Sequence, residues 1–517
     1  MCAENVTRRK FMKTAGVGVS TATLIGTNRV IAQAAAVPAE KLLRVNPEPR
    51  YELSPNLYMQ FMEPLGVTDG SVSAAWNYKE NRWREDVVEA TKDLAPGLIR
   101  WGGIFASFYR WKEAVGPRDK RQPILNMLWG GMESNQIGTV EFVDFCRQTG
   151  ADPLMCVNFE SDGKPRWMDS PREGNRMGTA QEAAEWVAYC NNPDNALRRS
   201  HGINAPPRIP LWQIGNETSY GKDGWDVDTC ARKTVEFARA MRGADPSIDL
   251  IGWGDSGWAP RMAEIAGEHL QYLAFHHMFN PYRDEKDSPL QGNEYRKDAD
   301  RTWDYLMRSW QPHDEKIQNI RDEVKKYDIP LAMTESHFAL PGRDRCDVLS
   351  TWAAGVADAR MLNVHERHGD VLKIATLADF CGTRWQVNAV MIPVPGGKSF
   401  LMPVAMVMRL YRRHTGEQAL DVAAVPDGLD VTASCTGNRI FLHVVNTLRT
   451  QSVAMQPVID GYNIAGGKVY ELALEPEYEI YKSEPELTNP KEKVLPADGK
   501  WIVPAASVSA MVLDVAV

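Results

Sequence analysis

The chain has 517 residues, more than one minimal domain, and length alone sets a prior near three domains unless one of them is large. With 44% hydrophobic and 24% charged residues it reads as a soluble globular protein, which excludes a disordered chain and a polytopic membrane protein. A formal net charge of −8 argues against a nucleic-acid-binding surface.

The first forty residues read as an address. Thr7-Arg8-Arg9-Lys10-Phe11-Met12-Lys13 fits the twin-arginine export pattern, a short weakly apolar stretch follows from Thr14 to Ile25, and Ala32-Gln33-Ala34 offers a small-x-small cleavage site. The stretch is too short and too rich in Gly and Thr to span a bilayer. Residues 1–34 are therefore expected to be removed, with the translocation machinery as a partner and a periplasmic or secreted destination, leaving no membrane anchor. Removal takes away Arg8, Arg9, Lys10, Lys13 and Arg29 against Glu4, which moves the formal charge from −8 to −12.

Past the leader, short apolar runs alternate with helix-period stretches at the spacing of a parallel barrel. The expected strands are Leu57–Glu63, Leu98–Gly103, Asp152–Phe159, Ile209–Glu217, Asp249–Gly254, Leu270–His277, Ile329–Glu335 and Val371–Phe380. Helical stretches such as Thr139–Thr149, Ala180–Cys190, Asp228–Met241, Asp314–Tyr327 and Val348–Arg367 fall between them, and Val404–Arg412 closes the set. The fold class is thus α/β: a (β/α)₈ barrel over 35–415 followed by a β-sandwich over 416–517. The sandwich announces itself by short alternating strands, with Leu429–Ala433 and Ile440–Val445 forming a hairpin around Thr436-Gly437-Asn438.

Eight cysteines without a C-x-x-C, and histidines without metal spacing, suggest neither a disulfide framework, a metal nor a cofactor. His276 and His277 are adjacent, so on a strand they face opposite ways and cannot chelate together. Gly254-Asp255-Ser256-Gly257 has the look of a serine-protease loop, but a strand-to-helix turn with Ser256 as the cap explains it better.

Catalytic groups in this fold project from the C-terminal ends of the strands. Two strands end in Glu: Trp212-Gln213-Ile214-Gly215-Asn216-Glu217, the fourth, and Leu331-Ala332-Met333-Thr334-Glu335, the seventh. A pair of carboxyls across one barrel mouth is the equipment for glycoside hydrolysis, one protonated to serve the leaving oxygen and one ionised to attack the anomeric carbon. Asn216 can donate an amide hydrogen bond to a neighbouring sugar hydroxyl. Of the 16 tryptophans, Trp101, Trp129 and Trp385 fall beside strand ends or in their loops and are candidate platforms for sugar rings. Asn158, at the end of the third strand, is a further candidate for substrate binding.

These residues resemble the large clan of (β/α)₈ retaining glycosidases, and within it glycoside hydrolase family 51, the α-L-arabinofuranosidases. The resemblance is carried by Gly116-Pro117-Arg118 with Arg121, by Glu133, Asn135, Gly138 and Glu141-Phe142, by Tyr189-Cys190-Asn191, by Arg199 with His201-Gly202, and by Trp212 with Gly215-Asn216-Glu217. It implies that Glu217 is the acid/base and Glu335 the nucleophile, that Glu63 and Asn216 bind the sugar, and that His276 is the histidine following strand six. It also implies an oligosaccharide or polysaccharide substrate, and raises a homo-oligomer as an expectation for which the sequence itself has no feature. Three positions depart from the family pattern. Ile104 follows Gly102-Gly103 where an Asn is usual, Thr334-Glu335-Ser336 replaces Asp-Glu-Trp, and Met278 stands in place of a Tyr. The leading expectation is an exported, exo-acting, arabinofuranosidase-like retaining hydrolase. The alternatives are a clan relative acting on another sugar (β-xylosidase, galactofuranosidase or glucuronidase) and a non-catalytic carbohydrate-binding protein.

Overall fold

In a computed structural model, residues 42–516 are described apart from 282–284, 286 and 341–345. The leader and its cleavage site lie outside the described residues. Eight strands form one parallel sheet in sequential order: β1 (Gln60–Met62), β2 (Leu98–Trp101), β3 (Asp152–Val157), β4 (Leu211–Ile214), β5 (Asp249–Trp253), β6 (Tyr272–Phe279), β7 (Leu331–Phe338) and β8 (Leu372–Ala375). The amide of Met59, just before β1, donates to the Ala375 carbonyl of β8 at 2.9 Å, so the sheet curls until its ends meet. All eight expected strands are present, and Thr139–Thr149 is helical from end to end.

The side-chain period of two explains the interior. One apolar layer draws on every strand: Phe61, Leu98, Leu154, Leu211, Ile251, Ala274, Ala332 and Ile374. One step further toward the C-terminal mouth, the same phase delivers Glu63, Arg100, Cys156, Gln213 and His276, all buried. A dry floor therefore underlies a polar layer, and that layer is where chemistry can be placed.

A second sheet has nine strands. Strands from its two ends and its middle send Val469, Leu442, Val431, Leu43, Met455 and Val503 into one core, so the sheet folds over on itself as a sandwich. One element departs from the expected boundary. Leu42–Glu52, read with the barrel, pairs antiparallel with Gln418–Ala424 and parallel with Val453–Ile459. Its pattern explains this: Leu43 and Val45 are buried while Arg44 is exposed, whereas a barrel strand must be apolar on both faces. The hairpin forms as expected, Thr436 pairing with Arg439 across Gly437-Asn438, with Gly437 at φ 57°.

Barrel and sandwich share a buried polar seam. Glu366, in helix Trp352–Arg367, accepts from Tyr58 Oη at 2.5 Å, from His443 Nδ1 at 2.9 Å and from the Thr432 hydroxyl. Burial alone would raise its pKa, but these donors, His443 foremost, hold it below the ordinary carboxylate range. Glu366→Ala strands three buried partners, so we expect a loss of about 3–5 kcal/mol in denaturant unfolding. A loss under about 1 kcal/mol would mean that the seam rests on apolar packing instead.

All seven cysteines among the described residues are unpaired, six of them buried, where burial raises the thiol pKa. No helix among the described residues is long and apolar enough to cross a membrane.

Candidate active site

The fourth strand ends in a sharp turn that aims its carboxyl. Gly215 has φ 77°, and a Cβ there would lie 2.6 Å from Asp162 Oδ1, so only glycine fits. Asp162 Oδ1 accepts from the Asn216 amide at 2.9 Å, and Lys164 Nζ donates to the Glu217 carbonyl. Glu217 itself sits at φ 52°, a strained conformation held by this clasp.

A bulge aims the partner. Between β6 and β7 the register slips, Phe275 pairing with Met333 but His276 with Glu335, which leaves Thr334 as the extra residue. His276 and Glu335 thereby face the interior side by side. His276 Nδ1 lies 3.0 Å from Glu217 Oε1 and 3.7 Å from Glu335 Oε2, and its Nε2 lies 3.0 Å from the Thr334 hydroxyl. One oxygen of Glu217 and one of Glu335 lie within 4.8 Å of each other.

The two carboxyls have different surroundings. Burial pushes Glu217 up to about 7, against the lowering influence of Lys164 and Arg100. Glu335 instead receives the Arg100 guanidinium, Nη1 to Oε1 at 2.7 Å. The same guanidinium donates to Gln213 at 2.8 Å and to Asn216 Oδ1 at 2.6 Å, which fixes both strand ends with one buried cation. Burial holds His276 down to about 4, so at neutral pH its ring is uncharged. Glu217, His276 and Glu335 are the one cluster among the described residues with ligand atoms close enough for a metal ion, but Arg100 already supplies positive charge there.

Beside Glu335 opens a pocket of about 310 Å³, lined by Phe61, Glu63, Trp129, Met278, His337, Asp379 and Trp385 among others. Its volume sits at the low end for ligand sites. Glu63 Oε1 accepts from Trp129 Nε1 at 3.0 Å and from the Phe105 amide at 2.9 Å. Burial and the neighbouring Glu335 carboxylate push Glu63 well above the ordinary range. The larger cleft at the seam, about 960 Å³, is lined by Arg–Asp pairs such as Arg360–Asp430 and holds none of the strand-end carboxyls.

Of the expected site residues, Glu217, Glu335, Asn216, Glu63, His276 and Trp385 converge here. Asn216 Nδ2 is buried and has no partner among the described residues, so it is available as a donor. Two expected residues are elsewhere. Trp101 follows inward-facing Arg100 by one position and so points outward, where it packs on Phe142 at 5.3 Å and Tyr109 at 6.2 Å. Asn158 spends its amide on the Tyr109 and Arg176 carbonyls and its oxygen on the Ser161 amide, shaping a loop. Trp129, by contrast, joins Trp385 edge-to-face at 5.4 Å in the pocket wall. Met278 lines the pocket, whereas Ile104 packs in the core. Ser256 caps no helix; its hydroxyl meets Ser219 at 2.9 Å, and the helix begins at Ala259 behind Trp258. His277 turns away from His276, toward His313 at 2.9 Å.

Residue-type reading missed Arg100, Lys164, His337 and Asp379. Arg100 had a signal, a lone charge inside Leu98-Ile99-Arg100-Trp101. His337 had another, being in phase with Glu335 two residues before it.

Comparison with known proteins points to one family. The α-L-arabinofuranosidase 1 domain matches over residues 90–298 and the α-L-arabinofuranosidase C-terminal domain over 343–493. A probable α-L-arabinofuranosidase C of Aspergillus niger is 34% identical over 235 residues, covering 43% of this chain and 41% of that protein. An intracellular exo-α-(1→5)-L-arabinofuranosidase of Acetivibrio thermocellus is 32% identical over 251 residues, 44% of this chain and 46% of that protein. The match thus spans less than half the length of these curated relatives. Among solved structures, the α-L-arabinofuranosidase of Thermotoga maritima in its arabinose complex superposes with a TM-score of 0.74 at 22% identity, covering 92% of this chain and 100% of that one, which establishes a shared fold.

Proposed function

We propose that this chain, a family 51 α-L-arabinofuranosidase-like protein with a (β/α)₈ barrel and a C-terminal sheet domain, is a retaining glycoside hydrolase that removes terminal α-L-arabinofuranosyl units. The observation that carries the reading is the Glu217–Glu335 approach within 4.8 Å, with a sugar-sized pocket beside it. Retaining enzymes hold their carboxyls ~5–5.5 Å apart, and inverting enzymes need ~6.5–9.5 Å to admit a water.

In the first step a Glu335 oxygen attacks the anomeric carbon while Glu217 gives its proton to the departing oxygen; the glycosidic bond breaks and a glycosyl ester forms. In the second, Glu217 takes a proton from water, the water oxygen attacks the same carbon, and the ester bond to Glu335 breaks. We assign the His276 proton to Nδ1, where it donates to Glu217 Oε1; the acidic proton is then kept on Oε2 for the leaving group. Asn216 Nδ2 supplies a donor to the glycone. A pocket bearing the Glu335 and Asp379 carboxyls disfavours a uronic acid, which sets the glucuronidase alternative below a neutral sugar. A panel of aryl glycosides tests the sugar. The reading expects α-L-arabinofuranoside to be preferred, and no turnover of any furanoside contradicts it.

The acid must be protonated, so kcat/KM should fall with unit slope above pH about 7, following Glu217. Lys164 lowers that value, so Lys164→Met should carry the basic limb upward by roughly one pH unit. An unmoved limb would separate Lys164 from the acid. The sequence further supports export through Thr7-Arg8-Arg9, and fractionation of cells that express the full chain tests it.

A further inference from the structure

The bulge in β7 leaves one polar side chain that the bond-breaking steps do not use. Thr334, the extra residue between Met333 and Glu335, is fully buried. In a regular strand Thr334 and Glu335 would face opposite ways. The bulge brings both to His276, with Glu335 Oε2 at 3.7 Å from Nδ1 and the Thr334 hydroxyl at 3.0 Å from Nε2. The ring between them meets Trp253 edge-to-face, centroids 4.7 Å apart, so its plane is set.

Two proton arrangements of the neutral ring fit these distances. In one, Nδ1–H donates to Glu217 Oε1 and the Thr334 hydroxyl donates to Nε2. In the other, Glu217 donates its own proton to Nδ1, and Nε2–H donates to Thr334 Oγ1. The hydroxyl decides between them. His276 is its one hydrogen-bond partner among the described residues, so the second arrangement buries the hydroxyl hydrogen without an acceptor. An orphaned buried donor costs more than an unused lone pair on an oxygen that already donates. Thr334 is also a departure from the family pattern, which has Asp before Glu335. An ionised carboxylate there can only accept, and would call for the opposite tautomer.

We infer that Thr334 is a positioning residue: its hydroxyl donates to His276 Nε2, holds the ring as the Nδ1–H tautomer, and so keeps Glu217 Oε2 as the oxygen that both gives and takes the catalytic proton. The kinetic part of the inference rests on the glycosidase reading; the tautomer does not. In the first step the proton leaves Oε2 for the departing oxygen, and Nδ1–H stays on Oε1 of the carboxylate that results. In the second, a water proton returns to Oε2. Without the hydroxyl, either tautomer leaves Nε2 unpaired and the preference is lost. The Nε2–H form then draws the Glu217 proton onto Nδ1, away from the leaving group.

The test joins a spectrum to a substrate pair. Nitrogen NMR of protein carrying labelled histidine reads the tautomer near neutral pH, the His276 signals being those absent from His276→Gln. Wild type and Thr334→Ser should show Nδ1 protonated and Nε2 bare, and Thr334→Val should show a population with Nε2 protonated. Nε2–H in the wild type, or a Thr334→Val spectrum identical to wild type, overturns the proposal. In kinetics, Thr334→Val should lose roughly 5- to 30-fold in kcat/KM on an arabino-oligosaccharide, the factor expected for one buried hydrogen bond. On a dinitrophenyl glycoside, whose leaving group needs no proton, it should stay within about twofold of wild type. Thr334→Ser should restore the oligosaccharide rate. Equal losses on both substrates, or no rescue by serine, would mark Thr334 as structural packing and overturn the positioning role. Circular dichroism verifies folding, and Thr334→Ala replaces Thr334→Val if the latter does not fold. If wild type turns over no glycoside, the glycosidase reading fails by itself, and the spectra still decide the tautomer.

Discussion

Glu335→Gln should reduce kcat by roughly 10⁴- to 10⁶-fold on every substrate, because it removes the atom that forms the covalent bond. The substitution keeps size and leaves the buried Arg100 a carbonyl oxygen to donate to, so folding should survive. Affinity for arabinose should be largely retained, because Asn216, Glu63 and the aromatic wall remain. This separates an enzyme from a carbohydrate-binding protein, in which loss of one carboxylate would act on affinity alone. Azide sharpens the result. In Glu335→Ala a small anion can enter the vacated position and attack from the nucleophile's face, giving a glycosyl azide of inverted configuration. Unchanged turnover in Glu335→Gln would refute the assignment.

The second large effect belongs to Glu217, and it should depend on the leaving group. Glu217→Ala is expected to lower kcat/KM by about 10²- to 10⁴-fold on an arabino-oligosaccharide, whose leaving alkoxide needs a proton. A dinitrophenyl glycoside leaves without protonation, so its first step should be nearly spared. Its ester with Glu335 would then accumulate, because no base activates water. Azide should relieve that block and give a product of retained configuration, opposite to the outcome in Glu335→Ala. Equal losses on both leaving groups would remove Glu217 from the acid role, whatever its pKa near 7.

The barrel was legible because its signal is repeated eight times: each apolar run is short, bounded and followed by a helical stretch. The two strand-end carboxyls were legible because a charge at the end of an apolar strand has few structural uses. What the sequence hid was phase. Trp101 and Arg100 are neighbours, and only knowing which one enters the barrel tells that the charge belongs to the site and the ring to the outer shell. The bulge at Thr334 makes the same point, since regular pairing would have set His276 opposite Thr334 rather than Glu335. Phase read forward from Glu335 would have found His337. Lys164 and Asn158 sit in loops, where no period operates, and there composition could not tell a clasp from a ligand. The N-terminal strand Leu42–Glu52 was misplaced for a different reason: its pairing partners lie near residues 418–424 and 453–459, far beyond any local pattern.

The central claim is a double displacement through Glu335, and stereochemistry tests it most directly. Proton NMR should follow the anomeric signal of the first sugar released from 4-nitrophenyl α-L-arabinofuranoside, before mutarotation. Two displacements at one carbon predict that the α-anomer appears first and the β-anomer only later by equilibration. A β-anomer as the first product would mean a single displacement by water, and would contradict the nucleophile, the ester and the close approach of the two carboxyls as their cause.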